Sequence, residues 1–133
     1  MARVLVVDDD PIVRSIVVQF LQFGGHTAFE AASGVEALDK LSDSQPDLVI
    51  TDLSMPGMSG LELRTIGRDV APEIPFVLMS GYIVDAHVRA EFDAVLEKPL
   101  DFKGVLNTVN KMIPPDDVVA TSSADPPSQP ALL

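Results

Sequence analysis

Short apolar runs alternate with helix-patterned segments along most of this chain. The runs predict five strands, at residues 3–7, 26–31, 48–51, 75–79 and 94–97. Apolar runs of this length, bounded by turn residues, are typical of strands that are buried on both faces of a parallel sheet. The second run is the weakest of the five, so we expect that strand to lie nearer an edge of the sheet.

A helix is predicted after each strand. Asp10 is the predicted N-cap of the first helix, Pro11 is its first residue, and glycines at 24 and 25 end it. Ser33 and Ser59 each open a capping-box sequence, which predicts the starts of the second and third helices. Two further helices are predicted, a short and loosely patterned one around residues 85–92 and a last one at about residues 102–113.

The helical spacing also predicts which apolar residues face the sheet. In three of the helices these are Ile12, Val13, Ile16, Val17, Phe20 and Leu21; Val35, Leu38 and Leu41; and Phe102, Val105, Leu106, Val109, Met112 and Ile113. Five strand–helix repeats predict an α/β fold, doubly wound (βα)5, with a five-stranded parallel sheet. We expect this domain over residues 2–113. Residues 114–133 are acidic and rich in proline and serine, and we expect them to be disordered.

Composition narrows the class of protein. A length of 133 residues fits one domain with a real core, and the net charge of -11 argues against direct binding of nucleic acid, which requires a basic face. No stretch is long and apolar enough for membrane insertion, and no signal peptide begins the chain. The absence of cysteine excludes disulfides and thiolate metal sites, and it fits a cytoplasmic location.

Polar residues follow four of the five predicted strands. They are Asp8 and Asp9, Asp52, Ser80 and Lys98. Each alone has an ordinary explanation as a helix cap, a turn residue or a solvated strand tip, but parallel strands bring their carboxyl ends to one edge, where such sheets bind ligands. Like charges 4 Å apart repel by about 4 kcal/mol at an effective dielectric constant near 20. Clustered carboxylates therefore need a cation, and oxygen ligands suit Mg²⁺.

Four motifs in order carry a family resemblance. They are Val6–Pro11, Asp52–Gly60, Met79–Gly81 and Glu97–Pro99. Any one of them is weak, but at these spacings the chain resembles the receiver domain of two-component response regulators, such as the chemotaxis receivers, over about residues 2–113. The resemblance implies the flavodoxin-like strand order 2-1-3-4-5.

The resemblance also implies roles for the acidic residues. Asp52 would be the phosphoacceptor, taking a phosphoryl group from a phosphohistidine. Asp9 and Asp52 would bind Mg²⁺ (or Mn²⁺) directly, together with the backbone carbonyl of Ser54. Asp8 would contribute to the metal site mainly through water. The chain would thus catalyse only its own phosphotransfer and autodephosphorylation, and would not be an enzyme acting on other substrates.

Lys98 and Ser80 complete the implied site. Lys98 would pair with the phosphoryl group, Ser80 would move to hydrogen-bond it, and the bond between Lys98 and Pro99 would be cis. The chain departs from the family where an aromatic residue usually stands three positions before the lysine, because Val95 is found there. The short interval from Ser80 to Lys98 requires a reduced fourth helix. We therefore predict a switch of Ser80, Tyr82 and Val95 in which Tyr82 or this helix carries the conformational change.

The expected partners are proteins. A sensor histidine kinase or a histidine phosphotransfer protein would supply the phosphoryl group, and a downstream protein target would read the change of conformation. About twenty proline-rich residues after the domain cannot form a DNA-binding or enzymatic effector, so we expect a stand-alone receiver or phosphorelay component. A receiver cut from a hybrid kinase would have a similar sequence.

Two other functions fit parts of the sequence. The Asp8-Asp9-Asp10 segment has the Asp-x-Asp spacing of haloacid-dehalogenase-type phosphatases, which also use Mg²⁺. However, Ile12 stands where that family has threonine or valine, no acidic pair follows the fourth strand, and the Asp52–Gly60 segment would have no role. The second alternative is a degenerate receiver that binds partners without phosphorylation, although all five site residues are present.

Overall fold

The computed structural model describes residues 1–81 and 83–113. Its elements in chain order are β1 (Arg3–Val7), α1 (Pro11–Phe23), β2 (Thr27–Ala31), α2 (Gly34–Ser44), β3 (Leu48–Asp52), α3 (Gly60–Val70), β4 (Phe76–Ser80), α4 (Ala86–Arg89), β5 (Ala94–Glu97) and α5 (Phe102–Met112). The predictions for Tyr82 and for the tail at residues 114–133 lie outside the described residues.

The five strands form one parallel sheet in the order β2-β1-β3-β4-β5. This confirms the predicted α/β class, the strand order and the position of β2 at an edge. The register aligns Val7 with Thr51, and it pairs Asp52 with Met79. The strands that carry the predicted site residues therefore end at the same edge of the sheet.

Helices cover both faces of the sheet and enclose two apolar clusters. On the side of α1 and α5, the buried residues include Val17, Leu21, Val105 and Val109. On the side of α2 and α3, they include Leu41 and Leu63, with Phe76 from β4. Strand residues alternate between the two clusters, as expected for strands that are buried on both faces.

The predicted inward stripes are wrong at four residues. The side chains of Ile12, Ile16, Val35 and Phe102 are exposed by 70%, 43%, 63% and 38%. Helix α1 is apolar around most of its circumference, and only the face with Val17, Val18 and Leu21 packs fully against the sheet. Spacing could not choose between these two apolar faces, because the packing of the other elements decides the orientation of the helix.

Side-chain caps fix where the longer helices begin. The Asp10 carboxylate accepts hydrogen bonds from the Ile12 and Val13 N–H groups, and the predicted capping box at Ser59 is complete. At Ser33 the box is incomplete. The Ser33 hydroxyl caps the helix as predicted, but the Glu36 carboxylate accepts the N–H of Ala32 at 2.9 Å, one residue before the cap.

Helix α4 is even shorter than its prediction. It spans four residues, Ala86–Arg89, because the chain then tightens into i→i−3 turns at Glu91 and Phe92. These turns bring Phe92 into the cluster under α3. The reduction of the fourth helix that the sequence required is confirmed. No helix in residues 1–81 and 83–113 is both long enough and apolar enough for a transmembrane span.

Candidate functional site

Asp8 ends β1 as a buried carboxylate. Its N–H donates to the carbonyl oxygen of Ala31 on β2 at 3.1 Å, and its Oδ1 accepts the Asp10 N–H at 2.9 Å. The side chain is 1% exposed. Asp9, the next residue, is exposed and has no side-chain partner within the described segments. Thus backbone contacts alone set the position of Asp9, whereas Asp8 is held by its side chain as well.

Asp52 ends the central strand β3, and its backbone is packed tightly. Its Oδ1 accepts the Leu53 N–H at 2.8 Å, and Gly60 N–H donates to the Leu53 carbonyl oxygen at 2.8 Å. A Cβ atom at Gly60 would lie 2.2 Å from the Asp52 carbonyl oxygen, which real side chains do not tolerate. The first residue of α3 must therefore be glycine for the loop to pass this close to the acid.

Lys98 joins the two strand ends electrostatically. Its Nζ lies 3.5 Å from Asp8 Oδ2 and 3.5 Å from Asp52 Oδ1, and its side chain is 25% exposed. The Lys98 N–H donates to the Ser80 carbonyl oxygen at 2.8 Å, which ties β5 to β4 at the site. The Lys98–Pro99 bond is cis, as the family resemblance implied.

The three carboxylates form a compact acidic cluster. One oxygen from each of Asp8, Asp9 and Asp52 lies within 4.8 Å of the other two. Burial, reinforced by repulsion from Asp52, raises the pKa of the Asp8 carboxyl, while the Asp10 N–H and Lys98 oppose that rise. Asp8 Oδ2 is buried and accepts no hydrogen bond from the described residues. A buried carboxylate oxygen that faces Lys98 Nζ at 3.5 Å but accepts no hydrogen bond, within a set of oxygen ligands, fits a hard divalent cation.

The remaining predicted residues lie around this cluster. Ser80 is buried at the end of β4, and Ser54 is exposed in the loop after β3. Val95 is half-buried in β5, in register with Leu78, and packs against the cluster under α3. The structure therefore brings Asp8, Asp9, Asp52 and Lys98 together, with Ser80 alongside. Val95 faces the core, away from the acidic cluster.

Arg14 contacts the site although nothing in the sequence distinguished it. Its Nη1 donates to the Asp8 carbonyl oxygen at 2.7 Å, and its Nε lies 2.9 Å from the Glu30 carboxylate on β2. The guanidinium thus bridges α1, the end of β1 and the edge strand. One arginine on a helix predicts no such role, because its partners are a backbone carbonyl and a residue sixteen positions away.

The arrangement suits one chemical task. Three carboxylates and one ammonium group can hold a divalent cation and an anionic group side by side, with Asp52 next to both. A cavity of about 170 Å³ lies beside Lys98 and is lined by Ser80, Gly81, Ile83, Glu97 and Lys98. Such a site neutralises and orients a small anion; within the described residues it holds no His or Cys ligand for a softer metal.

Comparison with known families decides the class of protein. The family model of the response regulator receiver domain matches residues 4–110. The chain belongs to this family. Receiver domains are signalling modules of two-component systems, and the fold and acidic cluster described above are those of a receiver domain.

The chain is similar to receiver domains in curated relatives of different length. It is 40% identical over 123 residues to the sensor kinase CckA of Brucella abortus, covering 87% of this chain and 13% of that protein. It is 32% identical to the response regulator MprA of a Mycobacterium strain, covering 98% of this chain and 56% of that protein. The receiver domain thus spans about half of one of these relatives and about an eighth of the other. Against the sporulation initiation phosphotransferase F of Bacillus subtilis the identity is 28%, over 84% of this chain and 94% of that protein.

Solved structures share the fold of this receiver domain. The chemotaxis protein CheY4 of Vibrio cholerae superposes with a TM-score of 0.80 at 29% identity, covering 85% of this chain and 99% of that one. The response regulator TrrA of Thermotoga maritima, solved in complex with Mg²⁺ and a beryllium fluoride group, gives a TM-score of 0.76 at 33% identity. That match covers 85% of this chain and all of TrrA.

Proposed function

We propose that this receiver accepts a phosphoryl group onto Asp52 from a phosphohistidine, in a Mg²⁺-dependent reaction, and signals to a protein partner by a change of conformation. The observation that carries the proposal is the position of Lys98, equidistant at 3.5 Å from Asp8 and Asp52. A lysine shared by two carboxylates is placed to move onto a phosphoryl group once that group occupies the space between them.

The proposed step is a direct phosphoryl transfer. An Asp52 carboxylate oxygen forms a bond to phosphorus as the phosphorus–nitrogen bond of the phosphohistidine breaks. The electron pair of that bond stays on the imidazole, and Asp52 becomes an acyl phosphate. Charge neutralisation and alignment supply most of the rate in such transfers. In return, water attack on the acyl phosphate would restore Asp52, so the chain would transform no substrate other than itself.

The metal ligands we propose are Asp9 and Asp52, with the Ser54 carbonyl oxygen and with Asp8 acting mainly through water. Bound Mg²⁺, or Mn²⁺ in its place, would neutralise charge on the phosphoryl oxygens. The support is the acidic cluster and the buried Asp8 Oδ2, which accepts no hydrogen bond from the described residues, together with the TrrA complex, which was solved with Mg²⁺. Asp8 would hold the loop after β1 and a water molecule of the metal site, since its Oδ1 already accepts the Asp10 N–H.

The proposed switch starts at Ser80. Its backbone carbonyl is bonded to Lys98, so a movement of either residue toward a phosphoryl group displaces the start of the segment that leads to α4. Val95 stands where many receivers have an aromatic residue, and its half-buried side chain has no ring that could swing inward. We therefore propose that the segment from residue 80 to α4, including Tyr82, transmits the change.

The proposed partners are a sensor histidine kinase or histidine phosphotransfer protein and a downstream protein target. The similarity to a sensor kinase at 40% identity supports a phosphorelay connection. The Bacillus subtilis phosphotransferase, covered over 94% of its length, supports function as a single-domain response regulator. A cytoplasmic location follows from these partners as part of the same proposal.

A small-molecule phosphodonor tests the chemistry without the kinase. The full chain is incubated with Mg²⁺ and acetyl phosphate or phosphoramidate, and the modified peptide is located by mass spectrometry. We expect one phosphoryl group on Asp52, absent from Asp52→Asn and from samples with excess chelator. Label on Asp8 would instead indicate a haloacid-dehalogenase-type phosphatase, and no label with any donor would indicate a degenerate receiver that acts as a binding module.

A second experiment identifies the partners. Pull-downs with the wild-type chain and with Asp52→Ala, each under phosphorylating conditions, are compared by mass spectrometry. A downstream target should bind only the wild type after phosphorylation. A kinase should bind both, because docking precedes transfer. Equal recovery of every protein by both baits would contradict a phosphorylation-dependent output.

A further inference from the structure

We infer that Arg14 is a positioning residue for the cation site, a role that rests on the function proposed above. The guanidinium donates from Nη1 to the Asp8 carbonyl oxygen at 2.7 Å and pairs through Nε with Glu30 at 2.9 Å. The Arg14 side chain is 17% exposed and its contact with the Asp8 carbonyl oxygen is partly buried, whereas the Glu30 side chain is 48% exposed, so solvent screens the Arg14–Glu30 ion pair. Arginine can make both contacts because its planar group presents several donors in a fixed arrangement.

The carbonyl that Arg14 holds belongs to the peptide that links Asp8 to Asp9. Fixing this oxygen fixes the plane of the peptide, and with it the direction in which the Asp9 Cα lies. Asp9 is exposed and has no side-chain contact within the described segments, so its backbone is the element of the structure that positions it. Arg14 therefore orients the proposed direct metal ligand without touching the metal.

The other contacts of this loop in the described residues involve neither the C=O nor the N–H of the peptide that links Asp8 to Asp9. The Asp10 N–H donates to Asp8 Oδ1, and the Asp8 N–H donates to Ala31 on β2. The second contact holds Asp8 in the sheet, and the first also holds the peptide that links Asp9 to Asp10. The bond from Arg14 holds the far side of Asp8, where the chain leaves the strand. Glu30 anchors Arg14 in turn, so the edge strand β2 gains a part in the site although it supplies no ligand.

Positioning and simple electrostatics predict opposite results for the same variant. Arg14 carries a positive charge close to a site for a divalent cation, so its removal should strengthen cation binding if charge were its main effect. If Arg14 orients Asp9, its removal should weaken binding, as it does for outer contacts that align metal ligands, where losses of about 10- to 100-fold are usual. The sign of the change separates the two roles.

The test measures Mg²⁺ affinity of the full chain by calorimetry, with amide chemical shifts of residues 8, 9 and 52 followed by NMR. We expect Arg14→Met to raise the dissociation constant of Mg²⁺ about tenfold. Arg14→Lys, which can reach one acceptor at a time, and Glu30→Gln, which weakens the anchor, should both give smaller increases. Arg68→Met is the matched control: it removes an equal charge and an exposed ion pair with Glu91, at the end of α3, and should leave the affinity unchanged.

Each outcome decides the inference. Unchanged or stronger Mg²⁺ binding in Arg14→Met, with wild-type binding intact, would overturn the role of Arg14 and leave the proposed function standing. Absence of Mg²⁺ binding in the wild type would overturn the proposed metal site and the inference with it. If Arg14→Met does not fold, Arg14→Lys and Glu30→Gln carry the test. Lower stability with unchanged affinity in these variants would show a structural role alone and would equally overturn the inference.

Discussion

The edge of the sheet around Asp52 and the segment around α4 differ in how tightly their residues are packed. At the first, a buried acid, two ion pairs to Lys98 and close backbone packing fix Asp8 and Asp52. At the second, a four-residue helix buries none of its residues, and Ile83 is fully exposed. The contrast indicates that the proposed phosphorylation site is tightly constrained, whereas the segment proposed to transmit the change is held by fewer buried contacts.

The largest expected effect comes from filling the space beside Asp52. Gly60→Ala would place a methyl group 2.2 Å from the Asp52 carbonyl oxygen, so the loop must shift. We expect the free energy of unfolding to fall by about 2 to 3 kcal/mol and phosphorylation to slow. Gly81→Ala is the control, because its methyl group meets Lys98 at an ordinary 3.8 Å. Urea denaturation of both variants checks this, and equal losses would break the contrast in packing.

The next largest effect is expected at Lys98, whose ammonium group pairs with both Asp8 and Asp52. Lys98→Met leaves Asp8 and Asp52 facing each other without an ammonium group, and an uncompensated charge that is largely buried is strongly destabilising. We expect a loss of about 2 kcal/mol in the metal-free protein, less than for a fully buried pair because Lys98 is partly exposed. Urea titrations with and without Mg²⁺ measure it. Added Mg²⁺ should restore part of the loss, and the absence of any restoration would argue against a metal in this cluster.

A substitution at Asp8 is expected to have a smaller effect, and to raise the free energy of unfolding instead of lowering it. Because its folded pKa is raised, the folded state holds the proton more tightly than the unfolded state, and stability falls as pH rises above the ordinary value of 3.8. Asp8→Asn removes that penalty and should stabilise the metal-free protein by about 1 kcal/mol at pH 7. The gain should vanish as the pH approaches 3.8. Denaturation across this pH range checks the sign, and a gain that grew in acid would refute the assigned cause.

The smallest effect is expected in the region around α4, where Val95 can be changed. Val95→Ala trims a half-buried side chain that packs against the same apolar cluster as Val88 of α4, and we expect the free energy of unfolding to fall by about 1 kcal/mol. Mg²⁺ affinity and the rate of phosphorylation by acetyl phosphate should stay at wild-type values, because Val95 faces the apolar core, away from the acidic cluster. A change in Mg²⁺ affinity would mean that the two regions are coupled even before phosphorylation.

The sequence could predict the position of the site because its geometry follows from strand direction. Asp8, Asp52 and Lys98 each end an apolar run, and parallel strands bring those ends together whatever the details of packing. The N-cap at Asp10 was also predictable, since it depends on neighbours in sequence. These features rest on local patterns and on one rule of topology.

Other features depend on packing between elements that are distant in the chain. The helical spacing predicted Ile12 and Ile16 to be core residues, but α1 presents a different apolar face to the sheet. Arg14 is the clearest case, because its contacts are a backbone carbonyl and a carboxylate on β2. Similarly, α4 ends early because tight turns bury Phe92, a result of competition between a weak helix and the core.

The strand order has a consequence for experiments on fragments. The acids and the lysine lie at the carboxyl ends of β1, β3 and β5, and β3 lies between β1 and β4 in the sheet. No contiguous piece of the chain holds them all without most of the domain, and the pairing of strands so distant in sequence is slow to form during folding. Complementation of two half-chains would therefore be detectable as recovered phosphorylation. The proposed modification of Asp52 by a small phosphodonor would thus also serve as an assay for completed folding.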